Sequence, residues 1–327
     1  MAHAQSQFES FHDEILLSFD TNAKLRERRE ALLKDLKDNI DEDAHGYSHF
    51  IQGSYALHTG VTPLPDNDPD MDVGLIFDCS PEDYPDSLTL KKIVRKALER
   101  PNRTVKIRRP CVTVTYLKDG KVTHHIDLAI YTLNADSQTQ LAKSRETDAV
   151  EDRIWEASEA RELIKKIADR FEGDDRKQFR RVVRALKRWR DIKLGHANAP
   201  SVGLTVAAYN WFSARYDNVD GRPRDLLAIR DLLNELLSNW SWSRLEVHLP
   251  VAPNTDLFEK MTEAQASDLK QRLKGLRDSL SEALDQPDTH EACKVLKKQF
   301  GNDFPVPPKS DTTKEVFAGV SLTGRSA

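Results

Sequence analysis

The chain has 327 residues, a formal net charge of -4 and a pI near 6.2, which is long enough for two lobes with a sizeable core and too acidic for a protein devoted to coating DNA or RNA, leaving only a local basic groove open. Its three cysteines, Cys79, Cys111 and Cys293, lie far apart with no paired zinc spacing, as suits free thiols in a reducing cytosol. No long apolar run and no signal-like N-terminus is present, so the expectation is a soluble cytoplasmic protein.

Residues 1 to about 9 carry no pattern and are expected to be loose. From Phe11, the positions Ile15, Leu16, Phe19, Leu25, Leu32, Leu33, Leu36 and Ile40 recur at helical spacing among charges, predicting one or two amphipathic helices. On them, Arg26 to Arg29 reads as a solvated face. The stretch Phe50-Ile-Gln-Gly-Ser-Tyr55 follows. Gly53 lets the backbone approach a ligand closely, and the Ser54 hydroxyl with the amides of a short helix ending near Gly60 can cradle a phosphate. Pro63, Pro65 and Pro69 exclude regular helix and deliver Asp70 onto the apolar strand Val73 to Phe77. Residues i and i+2 of a strand share a face, so Asp70 and Asp72 would project together. Two adjacent carboxylates repel unless a cation sits between them, and magnesium, which takes oxygen ligands and leaves room for phosphate oxygens, is the natural occupant. A solvated acidic turn is the other reading, with Asp66, Asp68 and Asp78 close by. The upstream Gly53-Ser54 tips the balance toward a place for a metal-bound triphosphate.

A loop from Pro81 to Ser87 precedes a helix from Leu88 to Leu98, with Ile93, Val94, Ala97 and Leu98 apolar. Val105 and Ile107, then Val112, Val114 and Tyr116, alternate with polar residues, and Asp119-Gly120 supplies a turn into a strand from Val122 to Tyr131. Asp127 stands inside that apolar strand, where a carboxylate is costly unless paired or metal-bound; the alternative is an edge strand facing water. His125 shares its face, and an ordinary hydrogen bond is the preferred account of it.

From about Glu151 the pattern becomes helical, with Ile154, Leu163, Ile164 and Ile167 apolar. In the helix Arg180 to Arg190, Arg180, Arg184 and Lys187 share one face, opposite Val182, Leu186 and Trp189. Salt-bridged surface would account for those cations in a lone helix. Ser201, after Pro200, is a good N-cap for the next helix. Ser201 to Phe212 and Leu226 to Trp240 read as core helices, with Tyr209, Trp211 and Phe212 as packing. A rigid loop begins at Leu249, and helices from Asp268 to Leu284 and Thr289 to Phe300 close the fold, the last stopped by Gly301. Beyond Lys309 the chain is polar and expected to be disordered.

Together, Gly53-Ser54, Asp70-x-Asp72 and Ile126-Asp127-Leu128 resemble the active-site signature of the polymerase β-type nucleotidyltransferases. With Gln52, Tyr55, Thr59, Pro63-Leu64 and the ending Phe300 to Pro308, roughly residues 10 to 308 are similar, more narrowly, to the bacterial CD-NTases related to cyclic GMP-AMP synthase and oligoadenylate synthase. The resemblance implies an α+β fold: a polymerase β-like nucleotidyltransferase core, a mixed sheet with flanking helices, plus a C-terminal helical lobe. Residues 1–150 would form the core with a long N-terminal helix spanning both lobes, residues 151–308 the helical lobe, and 309–327 the tail.

The resemblance also implies site roles. Asp70, Asp72 and Asp127 would be catalytic and hold two Mg2+ ions, or Mn2+ in their place, with Asp70 and Asp72 bridging and Asp127 on the ion beside the attacking hydroxyl. Gln52, Gly53 and Ser54 would bind the donor nucleotide. Lys187 and Ser201 would meet the triphosphate from the helical lobe, leaving Ser201 as cap, phosphate ligand or both. Some relatives place a base-stacking aromatic where Val202 stands, so base stacking is unassigned. The expected reaction joins ribonucleoside triphosphates, ATP among them, into a cyclic di- or trinucleotide with release of pyrophosphate, for bacterial antiphage (CBASS-type) signalling through a nucleotide-activated effector. Transfer of one nucleotide to a protein, RNA end or small molecule, formation of linear oligonucleotides, and a catalytically idle sensor are the alternatives. The tail, ending Gly324-Arg-Ser-Ala327, is either plain disorder or a handle for an accessory ligation system. No membrane association and no stable DNA or RNA binding is expected.

Overall fold

A computed structural model of the chain describes residues 4–17, 19–65, 69–118, 121–195 and 199–309. Two helices, α1 (Gln5–Ile15) and α2 (Phe19–Asn39), lead into β1 (Tyr47–Ile51), the one-turn α3 (Gly53–Ala56), β2 (Asp70–Phe77) and α4 (Ser87–Leu98). Then come β3 (Arg103–Ile107), β4 (Val112–Lys118), β5 (Lys121–Leu133), β6 (Thr139–Lys143) and β7 (Ile154–Ala157). The rest is helical: α5 (Ala160–Asp169), α6 (Gly173–Lys193), α7 (Ser201–Trp211), α8 (Asp225–Ser238), α9 (Glu263–Asp285) and α10 (Thr289–Phe300).

The sheet runs β1-β2-β5-β4-β3, with β6 and β7 continuing from the far end of β5. Only the β2–β5 pairing is parallel, so the sheet is mixed. Strand alternation sorts its faces. Met71, Val73, Leu75 and Phe77 of β2 and Ile126, Leu128 and Ile130 of β5 are buried in one cluster with Leu25, Leu32 and Leu36 of α2 and Leu90, Val94 and Leu98 of α4. The intervening residues therefore face the other way, toward the second lobe. Asp86 fixes the start of α4 by accepting the Leu88 N–H at 2.9 Å, an N-cap worth about 1 kcal/mol.

The helical lobe is organised on α6, whose Phe179, Val182, Val183, Leu186 and Trp189 are buried among α8, α9 and α10. The N-terminus departs from expectation here. Residues 4–9 are not loose, because Phe8 and Phe11 pack their rings on Phe300 at 5.9 and 5.2 Å and on Phe304 at 5.1 and 5.2 Å. Of the one or two helices expected, two form: α1 joins the helical cluster and α2 the sheet cluster. Leu16, just after α1, bridges to Val61.

Two other expectations change, and two strands are new. The segment after Glu151 is not yet helical, since β7 pairs with β6 and Trp155 donates its indole N–H to Tyr84 O at 2.7 Å. The helix after Gly53 lasts one turn rather than reaching Gly60, and His58 leaves it at φ 54°. The strands β1 and β6 carry no alternation strong enough to have been foreseen. Asp66, Asp68, the Asp119-Gly120 turn and the tail from 310 to 327, with Gly324 to Ala327, lie outside the described residues. No helix among the described residues is long and apolar enough to cross a membrane.

Candidate active site

The parallel pairing of β2 with β5 sets Asp72 opposite Asp127 and Asp70 opposite His125. All four lie on the face turned away from the sheet's core, so three acids separated by up to 57 positions share one patch. β5 lies between β2 and β4, which rules out the edge-strand account of Asp127. Its Oδ1 is buried with no hydrogen-bond partner, an orphan acceptor of the kind a cation would satisfy.

Electrostatics agree. Water reaches Asp70 and Asp72 through the cleft, yet protein walls surround both. Loss of solvent, then the nearby Asp127, raises Asp70 above the usual carboxylate range. Loss of solvent, then Asp70 and Asp127, pushes Asp72 up to about 7. A solvated turn would show neither effect. Burial and the Asp127 charge likewise push the Cys111 thiol up to about 12. Among the described residues no three His, Cys, Asp or Glu side chains are drawn together tightly enough to hold an ion. Three carboxylates, one with an orphaned oxygen, are nonetheless the hard oxygen donors that suit Mg2+, which needs only a few protein ligands beside water and phosphate.

The turn before β2 is built onto this patch. Gln52 donates its backbone N–H to Asp72 O at 3.0 Å. Gly53 has φ 65°, and a Cβ there would collide with Asp72 Oδ2. Both conformation and space demand glycine. Ser54 follows on α3, and its carbonyl accepts the Thr59 N–H at 2.9 Å.

The opposite wall is α6. Lys187 Nζ donates to Thr59 O at 3.2 Å and to Thr59 Oγ1 at 3.1 Å. Burial, then the cations Arg190 and Arg184, lowers its pKa to about 8, against an opposing pull from Asp70. Arg184 donates to His58 O, and Arg188 donates to Thr62 O at 2.8 Å and pairs with Asp303 at 3.0 Å. Arg184, Lys187 and Arg188 thus take carbonyls of the 58–62 segment, Arg188 holding Asp303 as well. Between the walls lies a cleft of ≈ 610 Å³ lined by Gln52, Gly53, Ser54, Asp70, Asp72, Lys187 and Ser201, with Leu163, Ile164 and Val202 as apolar wall.

Ser201 is the first residue of α7, the cap position is Pro200, and no side-chain cap bond forms. The capping role expected of Ser201 is therefore absent because the helix starts one residue early. His125 makes the ordinary hydrogen bond expected of it, Nδ1 to Thr115 Oγ1 at 2.9 Å. Missed by sequence reasoning were Tyr131, Arg190, Asp191 and Thr205, all lining the cleft. Tyr131 follows Asp127 by four on the same strand face, and Asp191 follows Lys187 by four on the same helix face, so periodicity carried a signal for both.

Comparison with known proteins agrees with this architecture. Residues 48–131 match the family model for the nucleotidyltransferase domain of DncV-like cyclic GMP-AMP synthases, and residues 176–310 match the model for the cyclic GMP-AMP synthase C-terminal domain. The fold is similar to that of Vibrio cholerae DncV, a cyclic AMP-GMP synthase and prokaryotic cGAS homologue, at 22% identity over 81% of this chain and 70% of that one, TM-score 0.64. DncV in complex with a linear intermediate, 5′ pppA(3′,5′)pG, gives 24% identity over 79% and 69% of the two chains, TM-score 0.63. The CD-NTase CdnG of Bradyrhizobium diazoefficiens, in complex with GTP, gives 17% identity over 92% and 96%, TM-score 0.69.

Proposed function

The chain belongs to the DncV-like nucleotidyltransferases, and from that premise we propose that it joins ribonucleoside triphosphates, ATP among them, into a cyclic di- or trinucleotide with release of pyrophosphate. The observation that carries this reading is the register of β2 and β5, which puts Asp70, Asp72 and Asp127 on one strand face, with Asp70 and Asp72 lining the cleft that Lys187 borders from α6.

In the proposed reaction a ribose hydroxyl attacks the α-phosphorus of a second nucleotide, the bond to the bridging oxygen breaks, and pyrophosphate leaves with that electron pair. Asp70, Asp72 and Asp127 would hold Mg2+, or Mn2+, which when bound lowers the pKa of the attacking hydroxyl and neutralises the departing pyrophosphate. Gln52, Gly53 and Ser54 bind the donor phosphates, with backbone approach made possible at Gly53. Lys187 supplies a buried cation whose hydrogen-bond partners at Thr59 are neutral oxygens, and an anionic phosphate would offset its desolvation. Ser201, with no capping duty, adds a hydroxyl to the same wall. A second round at the same site closes the ring. By resemblance, the product would act in the bacterial cytoplasm on an effector protein in antiphage signalling.

Purified protein given the four ribonucleotides and Mg2+ is expected to release pyrophosphate and yield a phosphatase-resistant product whose mass identifies a ring. A linear product, or a single nucleotide attached to another acceptor, would replace ring closure with simple transfer. Turnover unchanged in Asp70→Ala, Asp72→Ala would reject the site.

A further inference from the structure

Tyr131 takes no part in the chemistry above, yet it lines the cleft. The residue is 3% exposed, its ring held beside Phe50 with centroids 5.8 Å apart. The hydroxyl donates to Gln52 Oε1 at 3.0 Å, and Ser158 bonds the same phenol. Burial pushes the phenol up to about 12, so it keeps its proton, and its capacity to donate, at neutral pH.

A carboxamide has one end that only accepts and one that only donates. With Oε1 occupied by the tyrosine, the NH2 group is the end left for the cleft, beside Gly53 and Ser54. A carboxamide turned the other way would present an oxygen to phosphate oxygens, replacing attraction with repulsion. We infer that Tyr131 is a positioning residue that fixes the Gln52 carboxamide with its NH2 toward the phosphates of the bound nucleotide. This rests on the nucleotide-binding reading and gives it a determinant four residues beyond Asp127 on the same strand face. The chain Ser158–Tyr131–Gln52 also ties the orientation to the segment leading from β7 into α5.

The test titrates Mg2+ complexes of α,β-methylene-ATP and α,β-methylene-GTP into wild type, Tyr131→Phe, Gln52→Ala and the double variant by calorimetry. Tyr131→Phe keeps the ring and its packing. Affinity should fall about tenfold, the size of one charge-assisted hydrogen bond, and the double variant should bind no more weakly than Gln52→Ala, because the tyrosine acts through that carboxamide. In nucleotide-free protein, 15N NMR should show the Gln52 side-chain NH2 pair displaced by Tyr131→Phe. Unchanged affinity in Tyr131→Phe, a loss that adds in full to that of Gln52→Ala, or an undisplaced NH2 pair would each overturn the inference. Failure of both analogues to bind wild type would instead reject the nucleotide reading itself.

Discussion

Lys187 presents its ammonium to both oxygens of a single residue, Thr59, the carbonyl at 3.2 Å and the hydroxyl at 3.1 Å. The Thr59 amide in turn donates to Ser54 O at 2.9 Å. A cation of the helical lobe is thereby tied, through one threonine, to the turn that would hold the nucleotide's phosphates. Arg184, one turn earlier, and Arg188, the next residue, hold the carbonyls of His58 and Thr62. The helical wall and the turn from Gly53 to Thr59 are thus joined directly.

Lys187→Met should separate binding from stability. A buried ammonium lowered to about 8 is a burden on the folded chain, but its loss leaves two buried Thr59 oxygens without a donor, so the two effects oppose each other and the ligand-free variant should lose less stability than Arg188→Met. Loss of a charged contact to phosphate should reduce kcat/KM by about 10- to 100-fold. Thermal melts beside steady-state kinetics check both halves.

Gly53→Ala should fail on both counts. The added Cβ meets Asp72 Oδ2, and φ 65° strains any L side chain, so a cost of about 1–3 kcal/mol is expected, with activity lost because the displaced carboxylate is one of the three acids. Chemical denaturation measures the first and pyrophosphate release the second.

The segment from 58 to 62 should depend on Arg188. Arg188→Met leaves Thr62 O without its donor and Asp303 without its cation, at an expected cost of about 2–4 kcal/mol in unfolding free energy. Denaturant midpoints at constant slope would report it.

Metal-free stability should fall as pH rises from about 4 to about 7. An aspartate ordinarily ionises near pH 4, whereas Asp72 keeps its proton up to about 7 in the folded chain. Inside that window the folded state holds a proton that the unfolded state has released, which shifts the folding equilibrium about tenfold per pH unit against the folded form. Below the window both states hold the proton and above it neither does. Asp72→Asn should remove this component, read as the difference between the two proteins' stability profiles, and excess Mg2+ should oppose it by favouring the ionised carboxylate.

Legibility in the sequence followed the range of the interactions. Asp70 opens β2 as expected because Pro69 ends the loop and the period-2 pattern begins at once. α10 occupies Thr289–Phe300 as expected, bounded by the Asp288 cap and Gly301 at φ 78°. The three acids were legible because each sits on a strand whose alternation is local. The partner of Lys187 was not, since Thr59 lies 128 positions away. The start of α1 before Phe11 was missed for the same reason: Phe8 packs on Phe300 and Phe304, at the other end of the described chain. Ser201 was misread as a cap because the true cap residue is the Pro200 beside it.

Asp127→Asn tests the central claim most directly, because it keeps the shape of the side chain while removing the charge that the orphaned Oδ1 belongs to. The variant should fold with a melting temperature no lower than wild type, yet release pyrophosphate from ribonucleoside triphosphates and Mg2+ about a thousandfold more slowly. Equal turnover in a variant of unaltered stability would contradict the account.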